Sequence, residues 1–301
     1  MSSLNDLRDQ LLSNVLGSTK AVDLLLISLL ARGHSLITGP PGIGKTSLAQ
    51  TLATSLSGSF KRVQFTPDLL PSDILGYNLC RPQTGEFDFI AGPVFANLLL
   101  ADEINRASPR TQSSLLEAMN ERQVTIDGET RILPDPFMVV ATQNDASSTG
   151  TFPLPEPQLD RFLLSIPMSL PDDSTQLEIL KYHAQQSQAP AAEAIISLEA
   201  LRELQEKCAK LPVSDTLQRY LLALCQAVRT ALGNDHAVST RATLALQRAA
   251  QGAALLDDQD AILPDHVQSI FPHVLRHRLL AEDAPEPDQL LLSALEQTPV
   301  P

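Results

Sequence analysis

The chain has 301 residues, 43% of them hydrophobic, which can bury a substantial core and argues against a disordered protein. Its formal net charge of −13 argues against a nucleic-acid motor, because non-specific binding to nucleic acid needs a basic track. Cys80, Cys208 and Cys225 lie far apart, so we expect a reduced, cytoplasmic protein without a zinc site. No long apolar segment occurs, so we expect neither a signal peptide nor a membrane span.

The N-terminal region predicts two helices followed by a buried strand. Apolar residues recur at spacings of three and four within residues 3–31, and Gly17 divides this stretch into two helices. Residues 34–38 are short, mostly apolar and β-leaning, which is typical of a buried strand. The segment that follows is therefore expected to start at the end of a strand.

Residues 39–46, Gly-Pro-Pro-Gly-Ile-Gly-Lys-Thr, fit the phosphate-loop pattern without a mismatch. Amide groups of such a loop point inward and bind phosphate oxygens, Lys45 reaches the β/γ-phosphates and Thr46 offers a hydroxyl to Mg²⁺. The helix expected from Thr46 aims its positive end at the same phosphates. The pattern predicts bound ATP and Mg²⁺, with a nucleotide site made of Gly39, Pro41, Gly42, Ile43, Gly44, Lys45, Thr46, Ser47 and Asp102.

Further strands are predicted at residues 62–65, 98–101, 137–141 and 162–166, with a helix that begins near Pro109 after a Ser108 cap. Two hairpins are predicted, at residues 79–90 with a turn at Thr84-Gly85 and at residues 123–133 with a turn at Asp127-Gly128. Strands that alternate with helices indicate a mostly parallel sheet covered on both faces.

Asp102 and Glu103 follow the apolar strand at residues 98–101, and ligands of open α/β sheets bind outside the carboxyl ends of strands. We expect Asp102 to hold Mg²⁺, with Thr46, and Glu103 to orient and polarise the attacking water. Asn144 ends the neighbouring strand, and its amide can bind the γ-phosphate or the water. The same position suits an ordinary turn asparagine equally well.

From about Pro171 the strand signals disappear, and five helices are predicted at residues 174–185, 198–211, 216–232, 240–256 and 264–280. The sequence therefore predicts an α/β domain over residues 1–171 and a smaller all-α domain over residues 172–301. The second domain ends in a tail, from Ala281, that is rich in Pro, Asp and Glu and includes a predicted helix at residues 288–297.

The motifs together resemble the MoxR branch of the AAA+ ATPases over nearly the whole chain. The resemblance is carried by residues 39–46, 64–73 (QFTPDLLPSD), 92–97 (GPVFAN), 101–106 (ADEINR), 115–119 (LLEAM), 141–144 (ATQN) and 159–162 (LDRF). It implies a five-stranded nucleotide domain with β-hairpin inserts and a helical lid. It also implies a ring, usually a hexamer, with ATP between subunits. The segment 145–150 departs from the usual family sequence and carries no expectation.

The resemblance also assigns roles to single residues. It makes Asn144 the first sensor, Arg161 an arginine finger that reaches the ATP of the next subunit, and Arg241 the second sensor, supplied by the lid. Arg106 and Arg110 are rival candidates for the finger. The stretch Val15-Leu16-Gly17 is expected beside the adenine.

His273 and His277 share a helix face at a spacing of four, which is the spacing of some metal pairs. No third ligand is nearby in sequence, and Arg276 and Arg278 bring positive charge, so we favour a basic last turn that offsets the helix C-terminus over a metal site.

The resulting interpretation is a Mg²⁺-dependent ATPase that remodels or matures a protein partner. Partners with a von Willebrand factor A domain are implied by the resemblance alone. Two alternatives stay open. A nucleic-acid-directed motor is disfavoured by the acidic charge. A nucleotide-switched binding module with little turnover is disfavoured by the presence of both Glu103 and Arg161.

Overall fold

The computed structural model describes residues 2–144, 151–185, 194–279 and 286–301. Segment 145–150, the last residue of the predicted helix 264–280 and the start of the acidic tail, at 281–285, lie outside the described residues. The strands are β1 (Ser35–Thr38), β2 (Phe60–Gln64), β3 (Gly76–Cys80), β4 (Phe87–Ala91), β5 (Leu98–Asp102), β6 (Gln123–Ile126), β7 (Glu129–Ile132), β8 (Met138–Gln143) and β9 (Leu164–Pro167). The helices are α1 (Ser2–Asn14), α2 (Thr19–Leu30), α3 (Lys45–Ser55), α4 (Pro71–Leu75), α5 (Pro109–Glu121), α6 (Glu156–Leu159), α7 (Asp173–Gln185), α8 (Leu198–Lys210), α9 (Asp215–Leu232), α10 (Thr240–Leu256), α11 (Pro264–Leu275) and α12 (Pro287–Gln297).

In the described part of the chain, five strands form one parallel sheet in the order β2-β5-β8-β1-β9. Leu36 of β1, which lies between β8 and β9, pairs with Ala141 on one side and Ser165 on the other. The inner strands are almost wholly buried, as expected for a parallel sheet with helices on both faces. The predicted fold class is confirmed, and the strands begin and end within about two residues of their predicted positions.

The two predicted hairpins are present as separate two-stranded sheets, β3-β4 and β6-β7. In the second hairpin Asp127 and Gly128 both have positive φ, at 52° and 84°, which matches a type I′ turn. The predicted Ser108 cap is also present, since its side chain accepts a hydrogen bond from the Thr111 backbone at the start of α5. Local sequence signals therefore predicted this hairpin turn and the start of α5 correctly.

The C-terminal helices pack directly against the parallel sheet and its covering helices. α11 contacts β9, and α10 contacts α2 through Gly252, where a Cβ would lie 2.8 Å from the Ile27 carbonyl oxygen. One continuous apolar cluster includes Leu25 of α2, Ile166 of β9, Leu246 of α10 and Phe271 of α11. The C-terminal helices, which form the expected lid, thus share one hydrophobic core with the sheet.

His273 and His277 are buried where the end of α11 meets β9. His273 Nδ1 donates to the Ser165 carbonyl at 3.2 Å, and His277 Nε2 donates to the Phe162 carbonyl at 3.0 Å. Burial lowers the pKa of His273 to about 4 and that of His277 well below 6.5. Our interpretation of the two histidines as part of a basic last turn is therefore wrong, because burial keeps them neutral.

His34 is also buried, and it gives a pH prediction. Its Nδ1 accepts from the Val139 backbone, and desolvation lowers its pKa to about 4. Because the unfolded chain binds this proton near pH 6.5, stability is complete above pH 6.5 and is lost as the pH falls toward 4. At pH 5 each such histidine is expected to cost about 2 kcal/mol of unfolding free energy.

Urea unfolding at pH 7.5 and pH 5.0 measures this loss. In His34→Gln the difference between the two pH values should be smaller by about 2 kcal/mol than in the parent. His236→Gln, at an exposed position, is the control and should leave the difference unchanged. Equal differences in the parent and in His34→Gln would show that His34 is not the titrating group.

Candidate nucleotide site

A cavity of about 660 Å³ lies at the carboxyl ends of β1, β5 and β8. It is lined by three sets of residues: Asn14, Val15, Leu16 and residues 41–47; Arg62, Gln64, Asp102, Glu103 and Asn144; and Leu170, Pro171, Gln176, Ile179 and Leu180. The phosphate-loop motif, both acidic residues and Asn144 therefore share one cavity. Parallel strands bring them together because their carboxyl ends lie at one edge of the sheet.

The phosphate loop depends on glycine at specific backbone positions. Gly42 and Gly44 have φ of 82° and 91°, values that other residues rarely adopt, and α3 begins directly after Gly44. Gly39 has φ of 146°, and a Cβ there would collide with the Met168 carbonyl that follows β9. The loop therefore lies close against the sheet, and its amide groups are free of side chains that would block an anion.

Lys45 is buried within this loop. Its ammonium group donates to the Gly39 carbonyl, to Asn144 Oδ1 at 2.7 Å and to the Gln143 carbonyl at 3.3 Å. The lysine thus connects the start of the phosphate loop to the end of β8. A cation held between these two elements faces the place where phosphate oxygens are expected.

Asp102 ends β5 and is only 5% exposed. Its Oδ2 accepts from Thr46 Oγ1 at 3.2 Å and from Arg62 Nη2 at 2.7 Å, while its Oδ1 accepts from Thr142 Oγ1 at 2.6 Å. A hydroxyl beside a carboxylate is the hard oxygen pair that Mg²⁺ takes together with nucleotide phosphates. The residues present therefore fit a magnesium ion that also binds the nucleotide.

Glu103 has a left-handed backbone, with φ of 56°, and its N–H donates to Thr142 Oγ1 at 2.9 Å. Its Oε1 accepts from Asn144 Nδ2 at 3.0 Å, and its Oε2 accepts from Arg106 Nη1 at 2.9 Å. Asn144 thus bridges Lys45 and Glu103 with its two amide atoms. A carboxylate fixed in this way at the cavity wall is suited to orienting a water molecule.

The wall away from the phosphate loop is mainly apolar. Val15 and Leu16 line it from the end of α1, and Ile179 and Leu180 line it from α7. Gly17 does not line the cavity, and with φ of 74° it lets the chain turn tightly against Thr175 of α7. Sequence reasoning missed the residues of α7, since a predicted helix 130 residues from the phosphate loop gave no signal that it covers the cavity.

Neither the predicted arginine finger, Arg161, nor the predicted second sensor, Arg241, lines the cavity of its own chain. Arg161 donates through Nη1 to the Leu116 carbonyl. The Arg241 side chain is 56% exposed, and its Nη1 lies 4.0 Å from Asp160 Oδ2. Of the rival candidates, Arg106 is paired with Glu103 of its own chain and Arg110 is exposed on α5.

Sequence reasoning also missed Arg62 and Gln64, which enter the cavity from the end of β2. Among the described residues, no group of three or more His, Cys, Asp or Glu side chains is arranged to hold a metal. In the same ranges, no helix combines the length and apolarity that crossing a membrane requires.

Comparison with known proteins agrees with this geometry. Residues 34–164 match the ATPase family associated with various cellular activities (AAA), and residues 226–297 match the AAA lid domain. The chain is 42% identical to Chaperone MoxR1 of Mycobacterium tuberculosis, over 88% of this chain and 72% of the relative, and 33% identical to Protein MoxR of Paracoccus denitrificans, over 95% and 93%. The crystal structure of a presumed ATPase from Cytophaga hutchinsonii superposes with a TM-score of 0.89, at 33% identity, over 100% of this chain and 95% of that one. The chain belongs to the MoxR family of AAA+ ATPases.

Proposed function

We propose that this protein hydrolyses ATP in a Mg²⁺-dependent reaction and uses the energy to remodel or mature a protein partner. The observation that carries the proposal is the chain of contacts from Lys45 through Asn144 to Glu103 inside one cavity. This arrangement puts a cation for phosphate, a sensing amide and a water-orienting carboxylate within reach of one another. Those are the groups that phosphoryl transfer to water requires.

The contacts support a division of roles. The phosphate loop and Lys45 bind the phosphates, Glu103 polarises the attacking water, and Asn144 relates the position of the water to that of the γ-phosphate. Thr46 and Asp102 are the residues that would hold Mg²⁺, which neutralises charge on the phosphate oxygens when bound. Val15 and Leu16 form an apolar surface suited to the adenine ring.

We propose that the active form is a ring, with six subunits as the expected size, in which Arg161 acts on the ATP of a neighbouring subunit and Arg241 is the second sensor supplied by the lid. Support for a finger that acts in trans comes from the position of Arg161, which lies away from the cavity of its own chain. A relative named as a chaperone supports a remodelling role. Proteins with a von Willebrand factor A domain are the first partners to test.

Phosphate release by the purified protein, with ATP and Mg²⁺, tests the proposal. We expect turnover that stops when EDTA removes the metal, and Lys45→Ala gives the background rate. DNA and RNA are added in separate reactions and should not stimulate turnover, because the chain is strongly acidic. Tight ATP binding without turnover above the background, in the assembled protein, would instead indicate a nucleotide-switched binding module.

A further inference from the structure

Arg62 is a cavity residue to which neither the sequence motifs nor the proposed roles give a task. It lies on β2, whose pairing with β5 aligns Gln64 with Asp102. Arg62 Nη2 and Nε donate to Asp102 Oδ2 at 2.7 and 3.2 Å. The carboxylate that would face Mg²⁺ is therefore held by a guanidinium group from the neighbouring strand.

The two partners differ in exposure. The Asp102 side chain is 8% exposed, whereas that of Arg62 is 44% exposed and reaches the cavity. A buried carboxylate needs a counter-charge, and Arg62 supplies it. Because the guanidinium group is already half in solvent, water can hydrate it when it leaves the pair.

Arg62 and the Thr46 hydroxyl, which is proposed to bind the metal, both contact Oδ2 of Asp102. Thr46 Oγ1 lies 3.2 Å from Asp102 Oδ2, which is the atom that accepts both hydrogen bonds from Arg62. The other oxygen, Oδ1, accepts from Thr142. A divalent cation between Thr46 and Asp102 would therefore lie beside a guanidinium group, and like charges at such short range repel strongly.

We propose that Arg62 is an internal counter-ion that binds Asp102 when no metal is present and gives it up when Mg²⁺ arrives with the nucleotide. This inference rests on the proposed nucleotide site. Arg62 and Mg²⁺ are then alternative partners of one carboxylate. Arg62 also screens Asp102 from the phosphates of metal-free ATP, so it makes ATP binding less dependent on Mg²⁺.

The expected result is a change in a ratio of two affinities. Without Arg62, the phosphates of metal-free ATP lie near an unpaired Asp102 carboxylate, so metal-free ATP binds more weakly. Mg²⁺-ATP no longer has to displace a guanidinium group from Asp102, so it binds more tightly. By linkage, the ratio of Kd in EDTA to Kd in Mg²⁺ should rise at least about fivefold in Arg62→Gln. In Arg62→Lys, which keeps the charge, the ratio should stay within about twofold of the parent.

Fluorescence titration with a ribose-labelled ATP, in EDTA and in Mg²⁺, measures both values. Arg8→Gln is the matched control, because Arg8 also forms an aspartate pair, with Asp23, at a similar exposure of 37% but does not line the cavity. The thermal midpoint without nucleotide checks folding. Arg62→Met, which keeps the aliphatic stem, replaces the glutamine variant if that variant is unfolded.

The outcomes are distinct. Equal weakening of both affinities in Arg62→Gln, with an unchanged ratio, would overturn the counter-ion role and leave Arg62 as a residue that only positions Asp102. A ratio that falls would also overturn it. A parent protein that binds no ATP under either condition would overturn the proposed function itself and this inference with it.

Discussion

Replacement of Arg161 by alanine is expected to lower ATP turnover by about 10³ to 10⁵ while ATP affinity stays close to that of the parent. Arg161 does not line the cavity of its own chain. It lies in the segment that leads into β9. If a neighbouring subunit supplies the ATP, the loss removes charge stabilisation in the transition state but no contact made by ATP within one chain. Phosphate release and labelled-ATP titration measure the two effects separately.

Mixing two inactive proteins sharpens this test. An Arg161→Ala subunit keeps its phosphate loop, and a Lys45→Ala subunit keeps its finger. In a randomly mixed ring with head-to-tail contacts, about a quarter of the interfaces have both parts intact. Turnover should therefore reappear on mixing. Arg219→Ala, at an exposed position on α9, is the control and should retain the parent rate.

A ring that hydrolyses ATP only when every subunit is active would show no turnover on mixing. The ATP turnover of the parent protein is therefore also measured across a dilution series. Turnover per subunit should fall as the ring dissociates. A constant rate from the assembled form to the monomer would contradict a finger in trans. Arg106→Ala and Arg110→Ala, tested alongside, show whether either rival candidate carries the effect instead.

Glu103→Gln is expected to bind ATP like the parent and to slow hydrolysis by about 10² to 10⁴, the range typical of a lost general base. Glutamine keeps the shape of the side chain and can accept from either Asn144 or Arg106 through its one amide oxygen. Its NH₂ group cannot accept the other hydrogen bond, and the neutral amide cannot polarise water as a carboxylate does. Asp102, Thr46 and Lys45 are unchanged, so the phosphate and metal contacts remain. Single-turnover chemistry should slow as much as steady-state turnover.

The stalled protein is also the means of finding the partner. In ATP, Glu103→Gln should retain a bound client that the parent releases, and a pull-down identifies it. Glu121→Gln, on an exposed part of α5, is the matched control and should behave as the parent. Loss of ATP affinity as severe as that in Lys45→Ala would assign Glu103 to binding rather than catalysis.

Features that depend on neighbours in sequence were predictable. The phosphate loop, the Ser108 cap and the Asp127-Gly128 turn are local signals, and each is present in the structure. The convergence of Asp102 and Asn144 followed from one general rule, that parallel strands end at the same edge of a sheet. The roles of both residues stay predictions until nucleotide binding is measured.

Features that depend on distant contacts were not predictable. The pairing of β2 with β5 brings Arg62 to Asp102, and nothing in the sequence of either strand specifies that pairing. The charge state of His277 depends on burial against β9, so the pattern of basic residues around it was misleading. The covering of the cavity by α7 likewise depends on how the chain returns after the sheet.

The shared core between the lid helices and the sheet limits how this molecule can transmit movement. α10 lies against the backbone of α2 at Gly252, and α11 is fixed to β9 by apolar packing and by a hydrogen bond from His273. His277, in the turn after α11, donates to the Phe162 carbonyl just before β9. Bending the lid away from the sheet would expose this packing and leave buried polar groups without partners. In the proposed ring, we therefore expect each subunit to tilt against its neighbour as a rigid body when ATP is hydrolysed.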